Sequence, residues 1–464
     1  MTPTSRPARA PRPIALLLTL VFLSAACTGT QPTPPSTPSA ATPTPSPQAT
    51  QAPFPTDSPG AIELAMADVA RSPASDADAR AAAAAINTFA FDLHRVLAED
   101  GGNVVFSPTS IAIALAMARA GARGETAVQM DAVLRAVASD DHAAWLNGLD
   151  QALASRSGTF LDDERNEHEL LLDIANASFA QCDYPLEKAY LEALASRFGA
   201  GLYLVDFMAD PEAARQQINA WARERTQERI PEVLQPPDVT SDSRLALVNA
   251  IYLKAPWQRV FEEKRTTTES FIRADGSRVD VPLMHSPGSA ACATGEGWGA
   301  FELPYLGNTM SMLVIVPDDL EAFEAGLGPE VLAATLLAFE TQIAVPDVAL
   351  PRFEVETRAN VASLLAALGM PDAFDPAAAD FSGMTTADRL YVGRVIHQAN
   401  ISVDEKGTEA AAVTVVGMDT GGGPPDVCTV RADRPFLFAV RDRDTGAILF
   451  LGRVVDPSAP ASSS

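Results

Sequence analysis

The residues whose types and spacing suit them for chemistry lie in one segment near the C-terminus, and that chemistry is mechanical rather than catalytic. Residues 405–423 contain no proline, and after Lys406 no basic residue appears until Arg431. From Gly407 to Val416 every side chain except Glu409 is small or β-branched. Thr408, Ala410, Ala412, Thr414 and Val416 form one alternating set, uncharged and of modest size; Glu409, Ala411, Val413 and Val415 form the other. Side chains alternate between the faces of a strand, so the first set can face a core and the second solvent. Such a segment can join a sheet as a central strand without burying a charge, whereas an unpaired charge on the inward set would cost on the order of several kcal/mol. Gly407, which tolerates backbone angles other residues resist, suits the point where the chain must bend.

Catalytic signatures are absent. The chain has no GxSxG elbow, no HExxH and no GxxxxGK[ST] loop. Gly295-Glu-Gly-Trp-Gly299 is rich in glycine but reads as a loop without a preceding strand or following helix. No motif gives His94, His142, His168 or His285 a carboxylate or nucleophile partner, so they read as surface or packing residues. Four cysteines, Cys27, Cys182, Cys292 and Cys428, are too few and scattered for a disulfide scaffold or a CxxC zinc site. Cys428 reads as a free or packed thiol, with a Cys292–Cys428 disulfide as the alternative. Lys+Arg number 34 against 59 Asp+Glu, a net charge of −25. So acidic a chain repels phosphate backbones and anionic headgroups, which argues against nucleic-acid binding.

The elements that must position this segment form one large domain, residues 61–457, followed by a disordered tail, 458–464. Ile86, Phe89, Ala90, Leu93 and Leu97 recur at helical spacing. Val104–Phe106 reads as a strand, Ser107-Pro108 opens a helix through Ala120 ended by Gly121, and further helices fit 184–198 and 211–225. Strand-like runs cover 170–180, 245–253, 310–316, 390–403 and 447–455. Strands and helices do not alternate regularly, which points to an α+β domain with large mixed or antiparallel sheets.

A series of motifs then resembles one family, in order along the chain: Asn103-Val-Val-Phe-Ser-Pro-Thr-Ser-Ile-Ala112, Gly121-Ala-Arg-Gly-Glu-Thr126, Val205-Asp-Phe207, Ile218-Asn-Ala-Trp221, Leu247-Val-Asn-Ala-Ile-Tyr-Leu-Lys-Ala-Pro-Trp257, Glu302-Leu-Pro-Tyr305, Leu350-Pro-Arg352, Leu368-Gly-Met370, Ala379-Asp-Phe-Ser-Gly383, Val403-Asp-Glu-Lys-Gly-Thr-Glu-Ala-Ala-Ala412, and Arg434-Pro-Phe-Leu-Phe438 to Gly452-Arg453. The resemblance is to the serpins, and it covers nearly all of 61–457. It implies three β-sheets surrounded by helices and an exposed reactive-centre loop near the C-terminus. It also implies a suicide-substrate inhibitor of serine endopeptidases, with cysteine endopeptidases a further option: the protease forms an acyl-enzyme on the loop, and the cleaved loop enters the main sheet before water completes hydrolysis. Serpin loop insertion is a well-known instance of strand addition coupled to the release of stored strain. The alternatives are a non-inhibitory serpin acting as a surface binding protein and, more remotely, a hydrolase.

Carried over residue by residue, the resemblance implies a hinge at Glu405, Gly407, Thr408, Glu409, Ala410, Ala411 and Ala412. Arg352 becomes the ion-pair partner of Glu405. Ser107, Ser110, Asn249 and His397 become a polar cluster where the main sheet opens, with Trp257 at its top. Sixteen residues on from Glu405, the reactive bond falls at Gly421, with Gly422 after the break. Counting back from Arg434-Pro435 gives Pro424, which flanking prolines disfavour. Met418 and Thr420 suit a protease with an apolar or small pocket. None of these carries a positive charge, so an elastase-, chymotrypsin- or subtilisin-like target is expected rather than a trypsin-like one. No catalytic residue, metal or other cofactor is implied, and a monomer is expected.

Residues 1–26 read as a signal peptide: Arg6, Arg9 and Arg12 precede the apolar run Ile14–Leu23. Removing those three arginines from the net charge of −25 leaves −28. Leu23-Ser-Ala-Ala-Cys27 resembles a bacterial lipoprotein processing site, with Leu23 one position earlier than usual; ordinary secretory cleavage is the alternative. The expectation is a secreted chain, lipid-anchored through Cys27 at the cell surface or in the envelope. Residues 28–59 hold ten prolines and one charge, Asp57. With Cys27, the segment 27–60 reads as a disordered Thr/Pro/Ser-rich tether.

Overall fold

The computed structural model describes residues 62–136, 139–226, 228, 230–285, 290–342, 344–408 and 426–459. Nine helices are placed among them: α1 (Asp76–Leu97), α2 (Pro108–Gly121), α3 (Gly124–Val133), α4 (Ser139–Ala154), α5 (Lys188–Ala193), α6 (Pro211–Arg225), α7 (Leu320–Ala325), α8 (Pro329–Thr341) and α9 (Ala362–Leu368). None of the described helices is long and apolar enough to cross a membrane.

Three sheets account for the described strands. The largest has the order β1 (Glu63–Ala65), β5 (Leu202–Val205), β4 (Glu167–Gln181), β6 (Leu245–Pro256), β15 (Gly407–Thr408), β14 (Arg394–Val403) and β13 (Phe353–Asn360), with β3 (Gly158–Leu161) paired to β4. The second runs β2 (Val104–Phe106), β18 (Ile448–Val454), β17 (Phe436–Asp442), β11 (Met310–Pro317), β10 (Trp298–Pro304) and β9 (Ala291–Gly295). The third runs β16 (Val427–Arg431), β12 (Val345–Pro351), β8 (Arg278–His285) and β7 (Thr267–Ile272). The α+β expectation with three sheets matches this architecture.

The almost unbroken apolar run of β6 follows from its having two covered faces. Ala246, Val248 and Ala250 pack with Ile218 and Trp221 of α6. Leu245, Leu247, Ile251 and Leu253 belong to the other core, with Ile111 and Leu115 of α2. α2 is buried nearly all round, as its uniformly apolar sequence requires. Its start is set by Ser107, whose side chain accepts a hydrogen bond from Ser110 N, and by Pro108 in the first turn.

Two local expectations need correction. The helix expected over 184–198 starts only at Lys188, because Pro185 disfavours helical backbone at Tyr184, and its last turn, Leu194–Phe198, is a π-turn closed by left-handed Gly199. The Gly295–Gly299 segment is a hairpin with strands on both sides: Trp298 pairs with Gly295 across Glu296-Gly297, and Gly297 has φ 76°.

The feature that positions the site is a parting in the largest sheet. β6 and β14 are parallel neighbours from Ala246↔Arg394 to Ala250↔Gln398. Beyond that rung they separate. At the far end Gly407 and Thr408 fill the space: Gly407 pairs with Pro256, and Thr408 pairs with both Ala255 and Val403.

Candidate functional site

The segment expected to act as a hinge begins in a tight turn after β14. Asp404 Oδ1 accepts from Lys406 N (2.8 Å) and Gly407 N (3.3 Å), reversing the chain. Gly407 has φ 152°, and a Cβ there would stand 2.2 Å from Ala255 O, so only glycine fits. Three donors hold the turn from outside: Trp257 Nε1 to Asp404 O (2.9 Å), Trp257 N to Lys406 O (2.9 Å) and Phe261 N to Glu405 O (2.8 Å).

Glu405 and Arg352 form the expected ion pair. Arg352 Nε donates to Oε1 (2.9 Å) and Oε2 (2.8 Å), and Nη2 donates to Oε1 (2.6 Å). The Glu405 side chain is only 4% exposed while that of Arg352 is 46% exposed. A buried carboxylate is thus held by a guanidinium reaching in from the surface. Thr266 Oγ1 adds a 2.6 Å bond to Oε1, a partner that sequence reading missed. Burial works to raise the pKa of Glu405, but the bonds from Arg352 and Thr266 outweigh it, and the carboxyl sits below its usual range.

Thr408 is buried, and its Oγ1 lies 2.8 Å from the Tyr305 hydroxyl. Tyr305 in turn stacks on Trp257 at 4.6 Å between centroids. Trp257 therefore sits at the hinge end of the parting. The inward orientation of Thr408 agrees with the inward set read from sequence. The opposite set does not meet solvent along its whole path, because α6 covers that face at Ala246, Val248 and Ala250.

At the other end of the parting lies the polar cluster. His397 Nε2 accepts from Ser107 N (3.0 Å), and its Nδ1 faces Asn249 Oδ1. That assigns the proton to Nδ1, and the ring is neutral; burial pushes its pKa down to about 3. Ser110 Oγ donates to Asn176 Oδ1 (2.9 Å), and Asn176 faces Asn249 in the β4–β6 register. The cluster thus joins α2, β4, β6 and β14 one rung before the strands part. Asn176 was not singled out from sequence, although an Asn inside the apolar run 170–180 carries the same signal as Asn249. Asn249 Nδ2 is buried with no partner among the described residues.

Cys292 and Cys428 are disulfide-bonded, joining β9 to β16 with Cα atoms 6.0 Å apart; Cys182 is free. Cys428 is therefore no free thiol, and the alternative pairing is the one present. Three histidines have carboxylate partners that no motif announced: His94–Glu324 (2.8 Å), His168–Asp162 (2.9 Å) and His285–Glu269 (2.8 Å). Thr267 Oγ1 lies 3.2 Å from His285, but on Nε2, the same ring nitrogen that meets Glu269. A ring held that way cannot relay a proton from hydroxyl to carboxylate as a catalytic triad does. His142 is packed in the interior, its pKa lowered to about 4 by burial. Glu409, Ala410, Ala411, Ala412, Met418, Thr420, Gly421, Gly422 and Cys27 lie outside the described residues.

The family model described as Serpin (serine protease inhibitor) matches residues 84–457. An uncharacterized serpin-like protein of Thermococcus kodakarensis is 36% identical over 380 residues, spanning 80% of this chain and 85% of the relative. Human leukocyte elastase inhibitor is 34% identical over 380 residues, 80% of this chain and 97% of the relative. Among solved structures, the thermophilic serpin tengpin in its native state aligns with TM-score 0.72 and 27% identity over 85% of this chain and 99% of that one. Uncleaved ovalbumin aligns with TM-score 0.69 and 28% identity, covering 81% and 99%.

Proposed function

The chain belongs to the serpin family, and we propose that it is an extracellular suicide-substrate inhibitor of an elastase-, chymotrypsin- or subtilisin-like serine protease. The observation that carries this reading is the position of Thr408, already paired on both sides between β6 and β14, where no other strand among the described residues fills the parting.

Continuing that register gives a consistent fit for the inserted loop. Residues 410, 412, 416 and 418 fall opposite Leu253, Ile251, Leu247 and Leu245. Thr414 falls opposite Asn249 on β6 and His397 on β14, bringing a hydroxyl to the buried, unpartnered Asn249 Nδ2. Glu409 falls opposite Lys254, whose present partner is Glu169. Val413 and Val415 fall opposite Ala250 and Val248, on the face covered by α6. The only charge on the loop's strand portion is thus matched, its one inward polar residue below Thr408 meets a polar cluster, and its apolar outward residues meet an apolar helix. The register reaches Leu245 at Met418, so the reactive bond belongs at or beyond Met418, in keeping with the candidates Met418, Thr420, Gly421 and Gly422.

Inhibition then follows as a race. The protease acylates itself on the loop, and the freed N-terminal side zips down between β6 and β14, carrying the acyl-enzyme with it before deacylation. The intact form is metastable and guarded kinetically. The similarity to human leukocyte elastase inhibitor supports a target with a small apolar pocket. Lipid attachment at Cys27 and the Pro-rich segment to residue 60 would hold the inhibitor out from a membrane surface.

Incubation with elastase, chymotrypsin and subtilisin tests the reading. A covalent complex stable to heat and detergent, with release of a C-terminal peptide whose mass locates the bond, is expected with at least one of them. Cleavage without complex by all three would favour the non-inhibitory binding alternative.

A further inference from the structure

We propose that the Cys292–Cys428 disulfide is a redox lock that prevents the uncleaved loop from entering the main sheet while leaving insertion after cleavage free. The strand it secures, β16, is otherwise held by β12 along one side and by the Arg431–Glu269 ion pair at its end. Among the described residues it pairs on one side only, in parallel with β12 from Val345↔Val427 to Ala349↔Arg431. Its inward side chains are Cys428 and Val430, the latter seated against Gly299, where a Cβ would stand 2.9 Å away. Val427, at its start, is 59% exposed. The disulfide ties this edge strand to β9 of the second sheet.

Chain length makes the tie decisive. Following the Thr408↔Ala255 register to Leu245 takes ten residues, to Met418, a descent of about 33 Å at ~3.3 Å per residue. Ten more residues lead from Met418 to Cys428, and even fully extended they reach at most about 36 Å. β16 stands on the hinge side of the sheet, since its partner β12 runs directly into Arg352, the residue that holds Glu405. Cys428 pairs with Pro346, six residues before Arg352, or roughly 20 Å along the strand. The return segment must therefore climb the full sheet, turn, and run out sideways, and ten residues are too few. If β16 lets go, the eight residues from Cys428 to Phe436, where β17 begins, become available, adding about 26 Å. Cleavage removes the constraint altogether, because the inserted strand is then no longer joined to Cys428.

The chemical step is thiol–disulfide exchange. A dithiol reductant gives two electrons and the S–S bond two thiols by taking up two protons, while the reductant closes its own disulfide. The lock rests on the insertion mechanism proposed above, but one of its two readouts, the melting temperature, needs no protease. The full chain carrying Cys27→Ser and Cys182→Ser, in which Cys292 and Cys428 are the only cysteines left, is incubated with and without dithiothreitol. Aliquots are followed for the melting temperature of the uncleaved chain and for residual inhibition. Reduced protein is expected to lose inhibition at least tenfold faster, and the uncleaved, converted molecule to melt higher than the starting form. Adding Cys292→Ser and Cys428→Ser together should reproduce this under oxidising conditions; if that variant does not fold, the reductant comparison decides. Equal rates within twofold, or inactivation with no rise in melting temperature, would overturn the lock. Failure of the oxidised protein to form any covalent complex would instead overturn the inhibitory reading.

Discussion

The Tyr305 hydroxyl lies 2.8 Å from Thr408 Oγ1, both groups are buried, and Tyr305 is stacked on Trp257. In the proposed insertion, this hydrogen bond would fix the first rung on which the rest of the loop registers. A net hydrogen bond contributes about 1 kcal/mol, and an orphaned buried hydroxyl costs about 1–3 kcal/mol. Tyr305→Phe and Thr408→Val should each raise the number of inhibitor molecules consumed per protease trapped. The double variant should do no worse than either alone, as a shared interaction requires. Thr408→Arg, which asks for a buried guanidinium beside Tyr305, should convert the protein into a plain substrate. Titration of protease with each of the four variants reads these outcomes.

Arg352 reaches in from the surface to a carboxylate that the fold has buried. Removing it leaves Glu405 charged and enclosed, with Thr266 and its own backbone N–H to hold it. Breaking such a pair from one side costs on the order of 3–5 kcal/mol, discounted here because Arg352 is half exposed. Arg352→Glu should therefore loosen the hinge and increase polymer formation on mild heating, seen by native electrophoresis. The exchange Arg352→Glu with Glu405→Arg should recover part of the loss.

Acid should destabilise the intact protein in two windows. His397 is neutral when folded, with its pKa down at about 3, against 6.5 for an unperturbed histidine. Between those values the unfolded chain takes up a proton that the native one refuses, so stability falls as the pH falls from about 6.5 towards 3, by at most about 1.4 kcal/mol per pH unit. Glu405 adds to the loss lower down: its folded value is depressed, so its contribution is present above the usual carboxylate range and vanishes as the pH drops through the folded value. Melting temperature against pH should slope through the first window in the parent chain and flatten there in His397→Gln.

Thr414 belongs to the inserted state alone in this account. Thr414→Val should leave the intact protein's melting temperature unchanged and lower that of the cleaved form, since Asn249 Nδ2 would then stay unpartnered. Equal shifts in both forms would remove Thr414 from the inserted register.

Local signals made much of the fold legible. Ser107 and Pro108 cap α2 as their types suggest, α6 spans 211–225 as read, and the runs at 245 and 310 are strands with the expected starts. At the site, Glu405, Arg352, Ser107, Ser110, Asn249 and His397 came from matched motifs rather than from chemistry visible in the chain. What escaped was pairing over distance. Thr408–Tyr305 and Glu405–Thr266 are separated by 103 and 139 residues, and neither threonine nor tyrosine stands out by type. His94 finds Glu324 only because α1 and α7 are brought together by the fold. The disulfide closes over 136 residues, and connectivity among scattered cysteines is not readable from spacing.

Cleavage of the loop followed by thermal melting tests the central claim most directly. The two fragments should stay together and melt well above the intact chain, because a new central strand has been added to the main sheet between β6 and β14. A clipped molecule that melts at or below the temperature of the uncut protein would contradict the account.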